Sequence, residues 1–193
     1  YYPFYDLTAY GKNVLINSKS RDAWWLSKCF WAVSCVFTYF ILMWAIIIIF
    51  CVCGAGKLTL NVSKSLIFKM IPMPSENVFL SEGDLFSNRY LTCQMLLMPF
   101  LIVSALSVMQ MAVSLVIKPF FSFCISAGIL VLSAYYLNPL LLGNYAMSQR
   151  NDLLIDNGVN TKTGIVFSLA LLVLSCVVGL FIFRRYDILN KED

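Results

Sequence analysis

Few residues of this chain have the type and spacing to do chemistry, and each candidate fails on a neighbour. Gly54-Ala55-Gly56-Lys57 ends like a phosphate-binding loop, whose backbone N–H groups would cradle phosphate oxygens. That loop needs a Gly at the position of Cys51 and a Ser or Thr at the position of Leu58. It also closes an apolar run instead of following a strand, so it reads as a helix terminus with a snorkelling Lys57. The chain is therefore expected to bind no ATP through a motif of its own. Cys51-Val52-Cys53 has the look of a metal motif, but the chain contains no histidine and no second Cys pair lies nearby. All seven cysteines (Cys29, Cys35, Cys51, Cys53, Cys93, Cys124 and Cys176) fall in or beside apolar runs, as small buried hydrophobes do. No disulfide framework, metal or cofactor is expected. Asn61-Val62-Ser63 fits a glycosylation sequon and reads as a chance match.

Other polar residues fall on helical stripes inside apolar runs. Ser107, Gln110 and Ser114 share one face, and so do Ser122, Ser126 and Ser133. Ser168, Ser175 and Gly179 share another, as do Ser34 and Thr38. Small and hydroxylated stripes let helix backbones approach and hydrogen-bond across a bundle. The same residues could line a substrate path, and the two readings are compatible.

The elements that carry these stripes follow from composition. Of 193 residues, 60% are hydrophobic and only 12% are charged, against about 45–50% and 25% in soluble domains. The mean hydropathy is +0.80. This excludes a soluble fold, a disordered chain and a disulfide scaffold, and points to an all-α, polytopic membrane helix bundle. The 14 basic residues are spread too thinly to hold nucleic-acid phosphates. Four uncharged runs give four expected spans at about 29–56, 90–117, 119–142 and 163–183. Each reaches the roughly 20 residues that cross a hydrocarbon core of about 30 Å. Lys118-Pro119 splits the second and third with a one- or two-residue turn, making a tight antiparallel hairpin. None of the runs contains Asp, Glu, Lys, Arg or His. Such a bundle has neither the ionisable groups of an ion-driven pump nor an acid–base pair for hydrolysis. No enzyme is expected, and energy for any transport must come from elsewhere.

Orientation follows from flanking cations. Four crossings place eight Lys and Arg on the side of both termini and six on the other. Lys28, Lys118, Arg184 and Arg185 lie directly against span ends, so both termini are expected to be cytoplasmic. Trp24 and Trp25 read as an aromatic belt pair at that interface, or as exposed anchors for a partner. The outer loops are 57–89, whose Ser65–Pro72 could lie flat on the membrane, and 143–162. Asn138-Pro139 should break or kink the end of the third helix, and a short re-entrant helix could follow. Residues 1–28 read as a cytoplasmic segment, and 184–193 as a cytoplasmic tail. A chain opening on Tyr1 reads as a fragment preceded by further sequence. The aromatic and basic segment 1–28 fits either an anchor on anionic lipid or a docking element for a cytoplasmic partner.

The stretch Val14-Leu15-Ile16-Asn17-Ser18-Lys19-Ser20-Arg21-Asp22-Ala23-Trp24-Trp25-Leu26-Ser27-Lys28 and the tail Phe183-Arg184-Arg185-Tyr186-Asp187-Ile188-Leu189 resemble the transmembrane subunits of ABC-2 type exporters. The resemblance is to small Gram-positive permeases, nearest in look to those exporting amphipathic or antimicrobial peptides, including phenol-soluble modulins. It implies a six-span subunit of which this chain holds the last four spans. It also implies a coupling element in the segment before the first span here, with Tyr5, Asp6, Leu7, Tyr10, Val14 and Leu15 facing a separate ABC ATPase. ATP and Mg would sit in that partner, and the complex would be the ATPase. Two permeases, as identical copies or paralogues, would form the path through the plasma membrane for a peptide-like or lipid-like substrate. The competing expectation is a membrane immunity or sensor protein that shields the cell from membrane-active peptides without transport.

Overall fold

In the computed structural model the described residues are 20–55, 89–152 and 157–185. The six coupling residues Tyr5 to Leu15, the Ser65–Pro72 segment, the Asn61 sequon and the tail beyond Arg185 lie outside them. The described residues are helical: α1 (Arg21–Ala55), α2 (Arg89–Val113), α3 (Pro119–Tyr135), the single turn α4 (Gly143–Ala146), a 3₁₀ turn at Ser148–Arg150, and α5 (Thr161–Arg185). α1, α2 and α5 are long and apolar enough to cross a membrane, whereas α3 is an apolar helix of 17 residues. The chain is an all-α, multi-pass membrane protein.

Helix bounds differ from the sequence expectation for identifiable reasons. α1 starts at Arg21, eight residues before the uncharged run, because Ser20 caps it: its Oγ accepts from the Ala23 N–H at 3.3 Å. At 35 residues α1 is about 52 Å long, well beyond the hydrocarbon thickness. α2 stops at Val113, not Ile117, and its end tightens through bonds such as Val116 N–H to the Val113 carbonyl at 3.0 Å. The link to α3 is thus longer than one or two residues. Pro119 then opens α3 at the first helical position, where its missing N–H costs nothing.

α3 ends at Tyr135, short of the expected Leu142. Pro139 has no N–H to donate, its ring collides with the Tyr135 carbonyl, and Asn138 before it is pushed out of the α region. The chain turns instead, with Asn138 Oδ1 accepting from the Leu140 N–H at 2.9 Å. At 17 residues α3 spans about 26 Å. α5 starts at Thr161, where Asn160 Oδ1 takes the Lys162 N–H at 2.9 Å.

The chain divides into two compact units. One holds, among described residues, 20–36, 103–128 and 169–185. Its core is Trp24, Trp25, Cys29, Val108, Met111, Ala112, Leu115 and Phe183, with Val33, Cys176, Leu180 and Ile182 around it. The other holds 37–55, 89–102, 129–152 and 157–168. There α1 meets α2 through Phe37 and Phe40, whose rings lie 5.8 and 5.9 Å from Phe100. Phe100 follows Pro99, which deprives the Met95 carbonyl of its helical donor, a defect that membrane helices tolerate. Ile46, Ile47, Ile48, Ile49, Phe50 and Val52 are all exposed on α1, as a lipid-facing surface would be.

Candidate functional site

The start of α1 is clasped to the end of α5. Trp24 stacks on Phe183 with ring centroids 4.8 Å apart and an 11° interplanar angle, and Trp25 stacks on the same ring at 6.0 Å. Trp25 is fully buried; its Nε1 donates to the Cys176 carbonyl at 3.0 Å. Gly179 makes this possible, because a Cβ there would run into the indole of Trp25. Outside the apolar contact, Arg184 forms a two-pronged ion pair with Asp22, and Arg21 donates to the Arg184 carbonyl at 3.1 Å. These charged groups are exposed, so they set register more than they add stability. The expectation of Trp24 and Trp25 as an interfacial belt or exposed anchors is corrected: with 3% and 0% exposure they form the core. The Phe183 ring stacks on both indoles.

Beside this clasp lies a cavity of about 310 Å³, lined by Lys28, Trp31, Ala32, Cys35 and Val36 from α1, Ser107, Gln110, Met111 and Ser114 from α2 or its end, and Pro119. Its volume is at the lower end of the roughly 300–1,000 Å³ of small-ligand pockets. Trp31 and Cys35 are exposed, so it opens on the outer surface of the helices. Lys28 Nζ sits 5.1 Å from the ring centroid of Trp24, a cation–π distance.

The predicted stripe residues divide between the two units. Ser107, Gln110 and Ser114 border the cavity together. Ser114 Oγ donates to the Met111 carbonyl of its own chain segment at 2.7 Å. Ser122 reaches across the hairpin, its Oγ donating to the Gln110 carbonyl at 2.6 Å. Ser126 donates back to the Ser122 carbonyl at 3.2 Å, and Ser175 is buried in the same unit. In the other unit Ser133 is fully buried; it donates to the Ile129 carbonyl at 2.6 Å and accepts from Gly143 N–H at 3.2 Å. A Cβ on Gly143 would sit 2.6 Å from that of Ser133, so this close approach needs glycine. Ser168 is buried, with no hydrogen-bond partner for its hydroxyl among the described residues.

Sequence reasoning missed a polar clamp after α3. The carbonyls of a helix end must be satisfied, the more so where lipid supplies no donors. Arg150 donates to those of Ser133, Ala134 and Tyr136, and to Asn144 Oδ1. Asn144, fully buried, gives its Nδ2 to the carbonyls of Tyr136 and Asn138 at 2.9 and 2.8 Å. Tyr145 donates to the Pro139 carbonyl at 2.8 Å, and burial pushes its phenol above the usual tyrosine range. A loop of 20 polar-looking residues offered one faint signal, an Arg within reach of a helix terminus.

The family described as "Protein of unknown function (DUF2705)" matches residues 5–189, and the chain belongs to that family. No curated protein matches the chain. No solved structure matches it either.

Proposed function

We propose that this DUF2705 member, a multi-pass all-α membrane protein, is the transmembrane subunit of an ATP-driven exporter of the ABC-2 type. In this reading α1, α2, α3 and α5 are four spans of a bundle, with α3 the short one. Both chain ends are cytoplasmic, and segment 1–28 docks a separate ABC ATPase through Tyr5, Asp6, Leu7, Tyr10, Val14 and Leu15. That partner holds ATP and Mg, this chain performs no hydrolysis, and a second copy or paralogue completes the path through the plasma membrane. An amphipathic peptide or lipid-like molecule is the substrate, with Ser107, Gln110 and Ser114 on the polar side of its route.

The observation that supports this reading is the clasp. Ser20–Lys28 and Phe183–Arg185, which carry the resemblance to ABC-2 permeases, are packed on each other through Trp24, Trp25 and Phe183. A force applied just before Ser20 would reach the start of α1 and the end of α5 together, as the relay of an ATP-driven exporter requires.

The test is co-purification of the full-length protein from its own membranes in mild detergent. An ABC ATPase recovered in stoichiometric amount, with ATP hydrolysis in the pair, is the expected result. Deletion of residues 5–16 should abolish that recovery and leave the helical content unchanged. A chain that purifies alone, and that protects cells from membrane-active peptides when neighbouring ATPases are inactivated, overturns the reading in favour of an immunity or sensor protein.

A further inference from the structure

Cys35, Cys51, Cys53 and Cys124 are exposed, whereas Cys29 is buried and Cys176 half-buried. Cys29 belongs to the core of the clasp, and Cys176 packs against that core. Register brings the two together. α1 meets α5 with Trp25 against Gly179. One turn deeper into each helix from its clasped end stand Cys29 and Cys176, on the same faces as Trp25 and Gly179. The Trp25 indole also holds this turn of α5, through its bond to the Cys176 carbonyl at 3.0 Å. The two thiols meet as hydrogen-bond partners, and both are free. Thiols that meet across two helices have convergent Cβ vectors, which bridging requires.

We propose that Cys29 and Cys176 are an oxidation site, where hydrogen peroxide closes a reversible disulfide between the start of α1 and the end of α5. Cys176 has the greater exposure and reacts first. Its sulfur attacks peroxide, an S–O bond forms as the O–O bond breaks, and the thiol proton leaves with the released hydroxide as water. The Cys29 sulfur then displaces the hydroxyl of that sulfenic acid. The S–S bond forms as the S–O bond breaks, and hydroxide leaves with the Cys29 proton as a second water. Two thiols lose two electrons, and one peroxide gains them. A dithiol reductant reverses the step by thiol–disulfide exchange. The product carries no charge, so the apolar core accommodates it without burying an ion. The contact between the two helices becomes covalent. The site rests on the clasp and not on the exporter reading.

The test treats the full-length protein in its own membranes with hydrogen peroxide. Remaining thiols are blocked with N-ethylmaleimide, and proteolytic peptides are read by mass spectrometry without reduction. A peptide pair joined through Cys29 and Cys176 should accumulate with peroxide and vanish on treatment with dithiothreitol. Cys29→Ala should abolish the link and leave Cys176 as a sulfenic acid that dimedone captures. Cys29→Ser is the closer replacement should that variant not fold. In the unsubstituted protein the dimedone adduct at Cys176 should be several-fold lower, because Cys29 resolves it. Cys35→Ala should leave the link unchanged. Oxidation confined to the exposed cysteines overturns the proposal, as does a link from Cys29 or Cys176 to some other cysteine. A Cys176 adduct equal with and without Cys29 also refutes it, since Cys29 would then resolve nothing.

Discussion

Trp25 and Gly179 give a double-mutant cycle whose outcome follows from the packing. Trp25 packs against Gly179 with no exposure, so Gly179→Ala forces a methyl into the indole. Overpacking of this kind costs about 1–3 kcal/mol. Trp25→Ala removes roughly 140 Å³ of side chain, which at about 24 cal/mol per Å³ of unfilled cavity is up to about 3 kcal/mol. Lipid tails are as apolar as the core, so the cost in a membrane comes from lost packing and not from transfer to water. The Cys176 carbonyl loses only its second donor. In the Trp25→Ala background the Gly179 methyl has space to occupy, and its penalty should vanish or change sign. The two substitutions should therefore be non-additive by about 1–3 kcal/mol, the overpacking cost recovered. Reversible unfolding in mixed micelles of mild detergent and dodecyl sulfate, followed by far-ultraviolet circular dichroism, reads all four corners. Additivity within about 0.5 kcal/mol would refute the contact, and with it the clasp.

Other perturbations separate packing from surface chemistry. Arg150→Ala should destabilise by about 1.5–3 kcal/mol through the loss of charged hydrogen bonds at the α3 end. Arg150→Lys should rescue little of it, because an ammonium lacks the planar fork that meets three carbonyls. Hydrogen exchange at residues 141–147 should quicken in both variants, and unchanged protection there would speak against the clamp. Ser122→Ala should cost about 0.6 kcal/mol, the usual worth of an interhelical hydrogen bond in a membrane. A cost of several kcal/mol in the same mixed-micelle assay would contradict that reading. Gly164→Ala should destabilise by about 1–3 kcal/mol, since its Cβ would strike the Tyr145 ring and Met98. Gly128→Ala, with nothing within 4 Å, should be neutral or slightly stabilising through helix propensity. Equal effects of the two glycine substitutions would remove the close approach at Gly164.

Much of the architecture was legible in the residues alone. Uncharged runs of sufficient length have to be helical in lipid, because every backbone group must find an internal partner. That local rule located α1, α2 and α5, and Asn138-Pro139 marked a break near the end of α3, although the helix stops at Tyr135 and not at the expected Leu142. Segment 1–28 and the loop 57–89 carried expectations that fall largely outside the described residues. What one dimension could not supply was which helix faces meet. Trp24 and Trp25 beside three basic residues read as surface, since burying two adjacent indoles requires a partner ring 158 and 159 residues away at Phe183. Likewise Ser133 and Ser107 look alike in the chain. One is sealed against Gly143 and the other borders a cavity beside Lys28. Arg150 looked like a loop cation until α3 stopped early and left three carbonyls for it to hold. Periodicity and hydropathy are properties of neighbours along the chain, so they determine the helices. Burial, capping and cavity lining depend on residues brought together from distant positions, and only the tertiary structure decides those.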